Sequence, residues 1–205
     1  YVIELADHGD GMGSHRMVTK QVSFYEEMTN VPFIIAGPGI HPRQKPVEDL
    51  QTQPTIDLLP TLCELAGIPV PSSKPGISLA PFLKGEKQKR QHPYAASEWH
   101  SEYEVTVSPG RMIRSPRYKY THYLEGNGEE LYDMLKDKGE RRNLAHDPKY
   151  SKILAEHRAL LDDYIRRTQD DYRSLKVEAD KRWRSHAPGY PNHEGPCARD
   201  IINRK

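Results

Sequence analysis

The sequence predicts an α/β sheet domain, present only in its later part, followed by a small α+β subdomain. Three observations lead there. Two short apolar runs, residues 1–6 and 31–36, each end in a turn-forming cluster, as buried strands do. Between residues 94 and 132, short strand-like runs are separated by Ser-Pro and Gly-Asn-Gly turns, the pattern of an antiparallel sheet. One long amphipathic stretch follows, and a strand group covered by one helix makes a small two-layer unit.

Taken in order, the first run (Tyr-Val-Ile-Glu-Leu-Ala) stops at Asp7-His8-Gly9-Asp10 and enters a glycine-rich turn. Residue 1 already lies inside a strand, so the sequence is expected to open mid-domain. Residues 23–29 are polar and read as a short helix or turn. In the second run, Pro32 stands near the beginning, where a missing N–H is tolerated, and Gly37-Pro38-Gly39 ends it. Leu58, Leu59, Leu62, Leu65 and Ala66 then form a helical stripe over residues 57–66, closed by Gly67. Pro60 is expected in the first turn of that helix, where it costs little. A Pro-rich loop with a short apolar piece at residues 79–83 leads to the charged run 84–90, a solvated link and the expected internal boundary. Strands are expected at 94–98, 111–114, 118–123 and 130–132. Asp147-Pro148 marks a helix start, an N-cap followed by proline. Tyr150, Ile153, Leu154, His157, Leu160, Leu161, Tyr164, Ile165 and Thr168 recur at helical spacing. The expected division is thus 1–90 sheet domain, 91–175 subdomain and 176–205 extended tail, held by side chains such as Trp183 and Tyr190.

Composition removes several classes of function. Among 205 residues, 30 Lys and Arg balance 29 Asp and Glu, so no net field attracts nucleic acid or an anionic membrane. No apolar run approaches the roughly 20 residues that cross a bilayer. Cys63 and Cys197 match no metal or redox spacing, and whether they pair is not legible.

Chemistry concentrates in residues 7–20. An aspartate ending a strand offers oxygens to a divalent cation, and His8 beside it reaches the same point where the chain bends. An all-oxygen set suits calcium, whereas Asp with His suits zinc better, and Asp-His-Gly is also a plain turn. His15 and Lys20 are donors for a tetrahedral anion, with Gly9, Gly11 and Gly13 allowing close backbone approach. The Walker spacing is absent, and Arg16 reads as a surface charge. Glu98, Trp99 and His100 suit a sugar-binding rim, with ordinary packing as the plainer reading. His157, on the apolar helix face, is expected to be a satisfied core histidine.

These phrases line up in order with one family. Asp7-His8-Gly9-Asp10, Gly13-Ser14-His15, Lys20, Tyr25-Glu26-Glu27 and Val31-Pro32-Phe33-Ile34-Ile35 together resemble the metal-and-sulfate loop of the formylglycine-dependent sulfatases, of the alkaline-phosphatase-like superfamily. Asp57-Leu58-Leu59-Pro60-Thr61-Leu62 with Leu65-Ala66-Gly67-Ile68-Pro69 resembles the family's next helix, and Gly76-Ile77-Ser78-Leu79 with Phe82-Leu83-Lys84-Gly85 continues it. Arg114-Ser115-Pro116-Arg117-Tyr118-Lys119-Tyr120 and Glu130-Leu131-Tyr132-Asp133, then Asp137, Glu140 and Asn143-Leu144-Ala145, resemble its C-terminal subdomain. The resemblance runs from Tyr1 to about Tyr172. It departs at Arg16, where many relatives have glycine, and at Val18, near which they carry an aromatic. The Cys/Ser-x-Pro-x-Arg source of formylglycine and the N-terminal Asp-Asp metal pair are not in this sequence.

The resemblance implies an alkaline-phosphatase-like fold and hydrolysis of sulfate esters or sulfamates. In it, Asp7 and His8 supply calcium ligands, Lys20 contacts the sulfate, and His15 stands near the scissile oxygen. The remaining ligands and the nucleophile are expected from an N-terminal half, without which these residues turn nothing over. A sulfated carbohydrate or other sulfate ester is the expected partner, and a periplasmic, secreted or lysosomal location is customary in the family. Two rivals stand beside this. A phosphodiesterase or phosphomutase of the same superfamily would bind two zinc or manganese ions, and a non-catalytic module would only bind carbohydrate.

Overall fold

The computed structural model describes residues 1–17, 23–43, 45–47, 51–72, 75–87, 92–99, 109–124 and 128–175. They fall into two units: Tyr1–Gly9 with Asn30–Ala95, and Asp10–Thr29 with Ala96–Lys205. The expected tail, with Trp183, Tyr190 and Cys197, lies outside the described residues, as does the Gly126-Asn127 turn.

In the first unit, β1 (Val2–Leu5) pairs antiparallel with β2 (Phe33–Ala36), Val2 opposite Ala36 and Leu5 opposite Phe33. Both strands form where the apolar runs put them, but they are not buried as expected. Val2 is 72% and Ile34 54% exposed. The sheet has two strands, and the described residues of this unit supply no third to cover it.

Helix α2 spans Pro54–Ala66, one turn earlier than the stripe suggests. Pro54 fixes φ at the first helical position, and the Asp57 carboxylate accepts the Gln53 N–H at 2.8 Å, satisfying a donor ahead of the first turn. Pro60 therefore sits in the helix interior, not in the first turn. Its missing N–H leaves the Ile56 carbonyl without its usual partner four residues on. The chain uses that gap: a Cβ on Gly76 would lie 2.0 Å from the Ile56 oxygen, so glycine passes where no other residue fits. Asp57 is fully buried and also accepts from Ile77 N at 2.9 Å and faces His92 Nε2 at 2.9 Å. Thr61 donates to Asp57 O at 2.6 Å and accepts from Leu79 N at 2.9 Å, which places α3 (Ala80–Leu83). Cys63 is a buried free thiol.

The second unit is a four-stranded sheet in the order β3 (Ala95–Trp99), β4 (Gly110–Arg114), β5 (Tyr118–Tyr123), β6 (Gly128–Asp133). Strands β4, β5 and β6 pair antiparallel. Side chains alternate between faces along a strand, and the register sorts them. Tyr118, Tyr120 and His122 share a face with Ile113 and Leu131 and meet α4 (Ser151–Thr168) and the turn after it. There Tyr118 meets His157 edge-on, and His122 bonds the Tyr172 hydroxyl. Lys119, Thr121 and Tyr123 share the other face with Met112, Arg114 and Tyr132, and that face holds residues from 10–29. Phe24 packs with Met112 and Tyr123, while Met17, Tyr25 and Met28 pack with Tyr132 and Met134.

The long helix matches its periodicity, with Leu154, His157 and Leu161 buried. Asp147 accepts from Lys149 N and caps a short turn, Pro148–Tyr150, that feeds α4. His157 is 5% exposed, with Nδ1 2.8 Å from Ile153 O and Nε2 2.8 Å from Ser115 Oγ, a satisfied core histidine as expected.

Candidate functional site

Asp7 and His8 lie just past the end of β1. The Asp7 carboxylate accepts the His8 N–H at 3.0 Å, and His8 Nδ1 lies 2.8 Å from Gly9 O. A carbonyl only accepts, so Nδ1 carries a proton, and in the neutral ring Nε2 is then the atom with the lone pair. That Nε2 stands 3.5 Å from Asp7 Oδ2. Two lone-pair atoms at this separation lie within chelating reach of one cation at metal–ligand distances of about 2.0–2.5 Å. The pair therefore fits a divalent ion as two of its ligands.

The next residues enter the second unit in an unusual conformation. Gly13 N donates to Met17 O at 2.7 Å and Ser14 N to Gly11 O at 2.7 Å, so the loop closes on itself. Met12, Gly13, His15 and Arg16 all have positive φ, at 45°, 94°, 49° and 62°. A Cβ on Gly11 would strike Met17 Cβ at 2.4 Å, which explains that glycine. The loop is held from α1 (Glu26–Thr29) and the residue before it. Ser14 Oγ donates to Glu27, and His15 stacks flat on Tyr25 with ring centroids 3.7 Å apart and 2° between planes. His15 Nε2 is 3.9 Å from Glu27 Oε2.

Burial lowers the His15 pKa, and Lys119 and Arg141 lower it further against the opposing charges of Glu27 and Asp137, so the ring is neutral at pH 7. Burial works against ionising Glu27, but the Ser14 hydroxyl, its own backbone and the facing His15 and Lys119 outweigh it and hold the carboxyl below its ordinary value. Lys20 lies outside the described residues.

Beneath the loop is an ion network that the sequence reading did not single out. Lys119, 1% exposed, donates to Phe24 O at 2.8 Å and faces Glu26 Oε1 at 2.7 Å and Glu140 Oε1 at 2.9 Å. Glu140 Oε2 accepts the Glu26 N–H at 2.7 Å, so a carboxylate from the far end of the unit caps the first turn of α1. Burial raises the Glu140 pKa despite Lys119. No local signal marks the set, because Lys119 finds Glu26 and Glu140 from distant parts of the sequence.

The possible sugar rim is engaged in packing. Glu98 accepts from the Tyr164 hydroxyl at 2.7 Å, and Trp99 packs on the Phe24, Met112 and Tyr123 cluster. His100 lies outside the described residues.

The structure thus brings Asp7 to His8, and His15 to Glu27 and Tyr25. Comparison with known proteins gives this geometry its context. The family described as N-sulphoglucosamine sulphohydrolase, C-terminal, matches residues 13–167. A Delta 4,5-hexuronate-2-O-sulfatase of Bacteroides thetaiotaomicron is 76% identical over 204 residues, covering 100% of this chain and 42% of its own length. Arylsulfatase K of Bos taurus is 35% identical over 152 residues, covering 70% of this chain and 27% of its own. Among solved structures, a 2-O GAG sulfatase superposes with TM-score 0.86 at 76% identity, covering 98% of this chain and 43% of that one. A protein in complex with D-glucosamine-2-N,6-O-disulfate superposes with TM-score 0.72 at 25% identity, covering 85% of this chain and 36% of that one. The chain spans less than half the length of these relatives. The family model that matches it is a C-terminal one, and its fold is the later part of the alkaline-phosphatase-like sheet domain with its α+β subdomain: this chain belongs to the sulfatase family.

Proposed function

We propose that the chain is the C-terminal portion of an enzyme that hydrolyses the 2-O-sulfate of a Δ4,5-unsaturated hexuronate, the sugar named for its 76%-identical relative. The observation that carries this is identity over the whole chain, because pocket walls as well as ligands must be kept for one substrate class. Asp7 and His8 would hold the calcium that the family implies, with further ligands from the N-terminal portion found in the relatives. A bound divalent cation supplies Lewis-acid polarisation of a sulfate oxygen. Lys20 neutralises charge on the sulfate oxygens as it builds in the transition state. His15, neutral at pH 7, offers an N–H toward the leaving oxygen. The nucleophile comes from the N-terminal portion, so residues 1–205 alone are expected to release no sulfate. No helix among the described residues is long and apolar enough to cross a membrane. A location outside the cytoplasm is part of the same proposal.

The test joins residues 1–205 to the N-terminal portion of the Bacteroides thetaiotaomicron relative. The chimera should release sulfate from a 2-O-sulfated Δ4,5-hexuronate disaccharide but not from one sulfated only on glucosamine. Lys20→Ala should lower kcat/KM about 100-fold or more. A folded chimera that releases no sulfate from the first substrate overturns the reading. The comparisons favour neither rival: phosphonate monoester hydrolases match at 25% and 26% identity, against 76% for the sulfatase relatives.

A further inference from the structure

Three non-glycine residues of the loop, Met12, His15 and Arg16, hold left-handed backbone, which ordinary side chains disfavour. A conformation of that kind persists only where its surroundings impose it. The loop's own bonds, Gly13 N to Met17 O and Ser14 N to Gly11 O, close the ring but do not aim it. The aiming contacts converge on one carboxylate. One oxygen of Glu27 receives the Ser14 hydroxyl, and the other faces His15 Nε2 at 3.9 Å. The Tyr25 ring supports the imidazole from below, two residues earlier in the chain.

We propose that Glu27 is a positioning residue for this site: its two oxygens fix successive residues of the loop, Ser14 and His15, and so set the His15 ring. This rests on the reading of the loop as part of a sulfatase site. It adds a residue that touches neither sulfate nor metal. The charges facing His15 are Glu27, Glu140 and Asp137 on the acidic side, and Lys119 and Arg141 on the basic side. His15, Glu27 and Glu140 place donor atoms within 4.8 Å of one another, the spacing of a metal site. The Lys119 ammonium, 2.9 Å from Glu140, already supplies the cation there, so Glu27 serves as an anchor and not as a ligand.

The test uses the same chimera with Glu27→Gln, which keeps the size and an acceptor for Ser14 while removing the charge. The expected result is a folded protein whose kcat falls about 10–100-fold, with KM changed by less than about threefold. The acidic limb of its kcat/KM profile should move to lower pH, because Glu27 favours a proton on His15 and the neutral ring is the working form. The His15 ring resonance, assigned with His15→Gln and titrated by NMR, should show the same lowered pKa independently of turnover. If Glu27→Gln folds poorly, Ser14→Ala removes a single hydroxyl and should still lower kcat about 3–10-fold. Unchanged kcat in either folded variant, or an unmoved His15 titration in Glu27→Gln, overturns the proposal. An inactive parent chimera overturns the sulfatase reading instead, and the NMR titration still decides the role of Glu27.

Discussion

A histidine kept neutral inside a protein makes stability depend on pH, and His157 is such a residue. Burial lowers its pKa against the pull of the Ile153 carbonyl and Glu156. Unfolded, it takes up a proton near the ordinary value of about 6.5. Between the lowered folded value and that one, the unfolded chain binds more protons, so stability rises with pH and is lost as pH falls. His157→Gln should cost about 1–2 kcal/mol at pH 7, through lost hydrogen bonds to Ile153 and Ser115. By pH 5 its urea midpoint should lie closer to that of the unmutated chain, which by then has lost the His157 contribution. A gap of constant size across that range would rule the account out. His157 was legible because helical spacing alone put it on the apolar face. Lys119, Glu26 and Glu140 were not, since each is a charge whose neutralising partner is remote in sequence and no local pattern marks it.

Among the elements, α2 shows how a local rule and its exception combine. Pro60 inside a helix ordinarily disrupts it, and here the freed Ile56 carbonyl is the surface against which Gly76 passes. Gly76 has φ of 108° and no room for a Cβ. Gly76→Ala should therefore destabilise the first unit by about 3 kcal/mol or more, measured by urea denaturation. A loss below 1 kcal/mol would show that the two segments part easily. The stripe of leucines gave the helix and its end at Gly67, but not its start, because Pro54, Thr55 and the Asp57 bond to Gln53 lie off the apolar face. Strands β4 to β6 were readable as short runs separated by turns. Their two-sided burial was not, because the segment covering one face comes from residues 10–29, far earlier in the chain.

At the scale of the molecule, the two units differ in how well each closes its own surface. The sheet of the second unit has buried residues on both faces, including Ile113, Tyr120, Leu131 and Tyr132 at 1% exposure or less. The first unit leaves Val2, Ile34, Leu59 and Ile68 at 72%, 54%, 44% and 56%. A two-stranded ribbon is marginal in water. In the isolated 205-residue chain, amides of β1 and β2 should therefore exchange with deuterium much faster than those of β4 to β6. In the chimera with the relative's N-terminal portion, the first set should become protected. Equal protection of both sets in the isolated chain would show that the ribbon needs no further cover. If the prediction holds, the Asp7-His8 pair sits on the least stable element of the chain until that cover arrives.

The Lys119 bond to the Phe24 carbonyl spans 95 residues of sequence, and the Glu140 cap on the Glu26 N–H spans 114. A ribosome therefore delivers the loop and α1 long before it delivers the residues that anchor α1 to the sheet. Nascent chain stopped ahead of Glu140 carries Asp7, His8, His15 and Lys20 before the α1 cap has been made. Contacts of such long range are paid in loop-closure entropy and form late. Helix α1 is therefore seated on the sheet only after β6 and the turn that follows it have emerged.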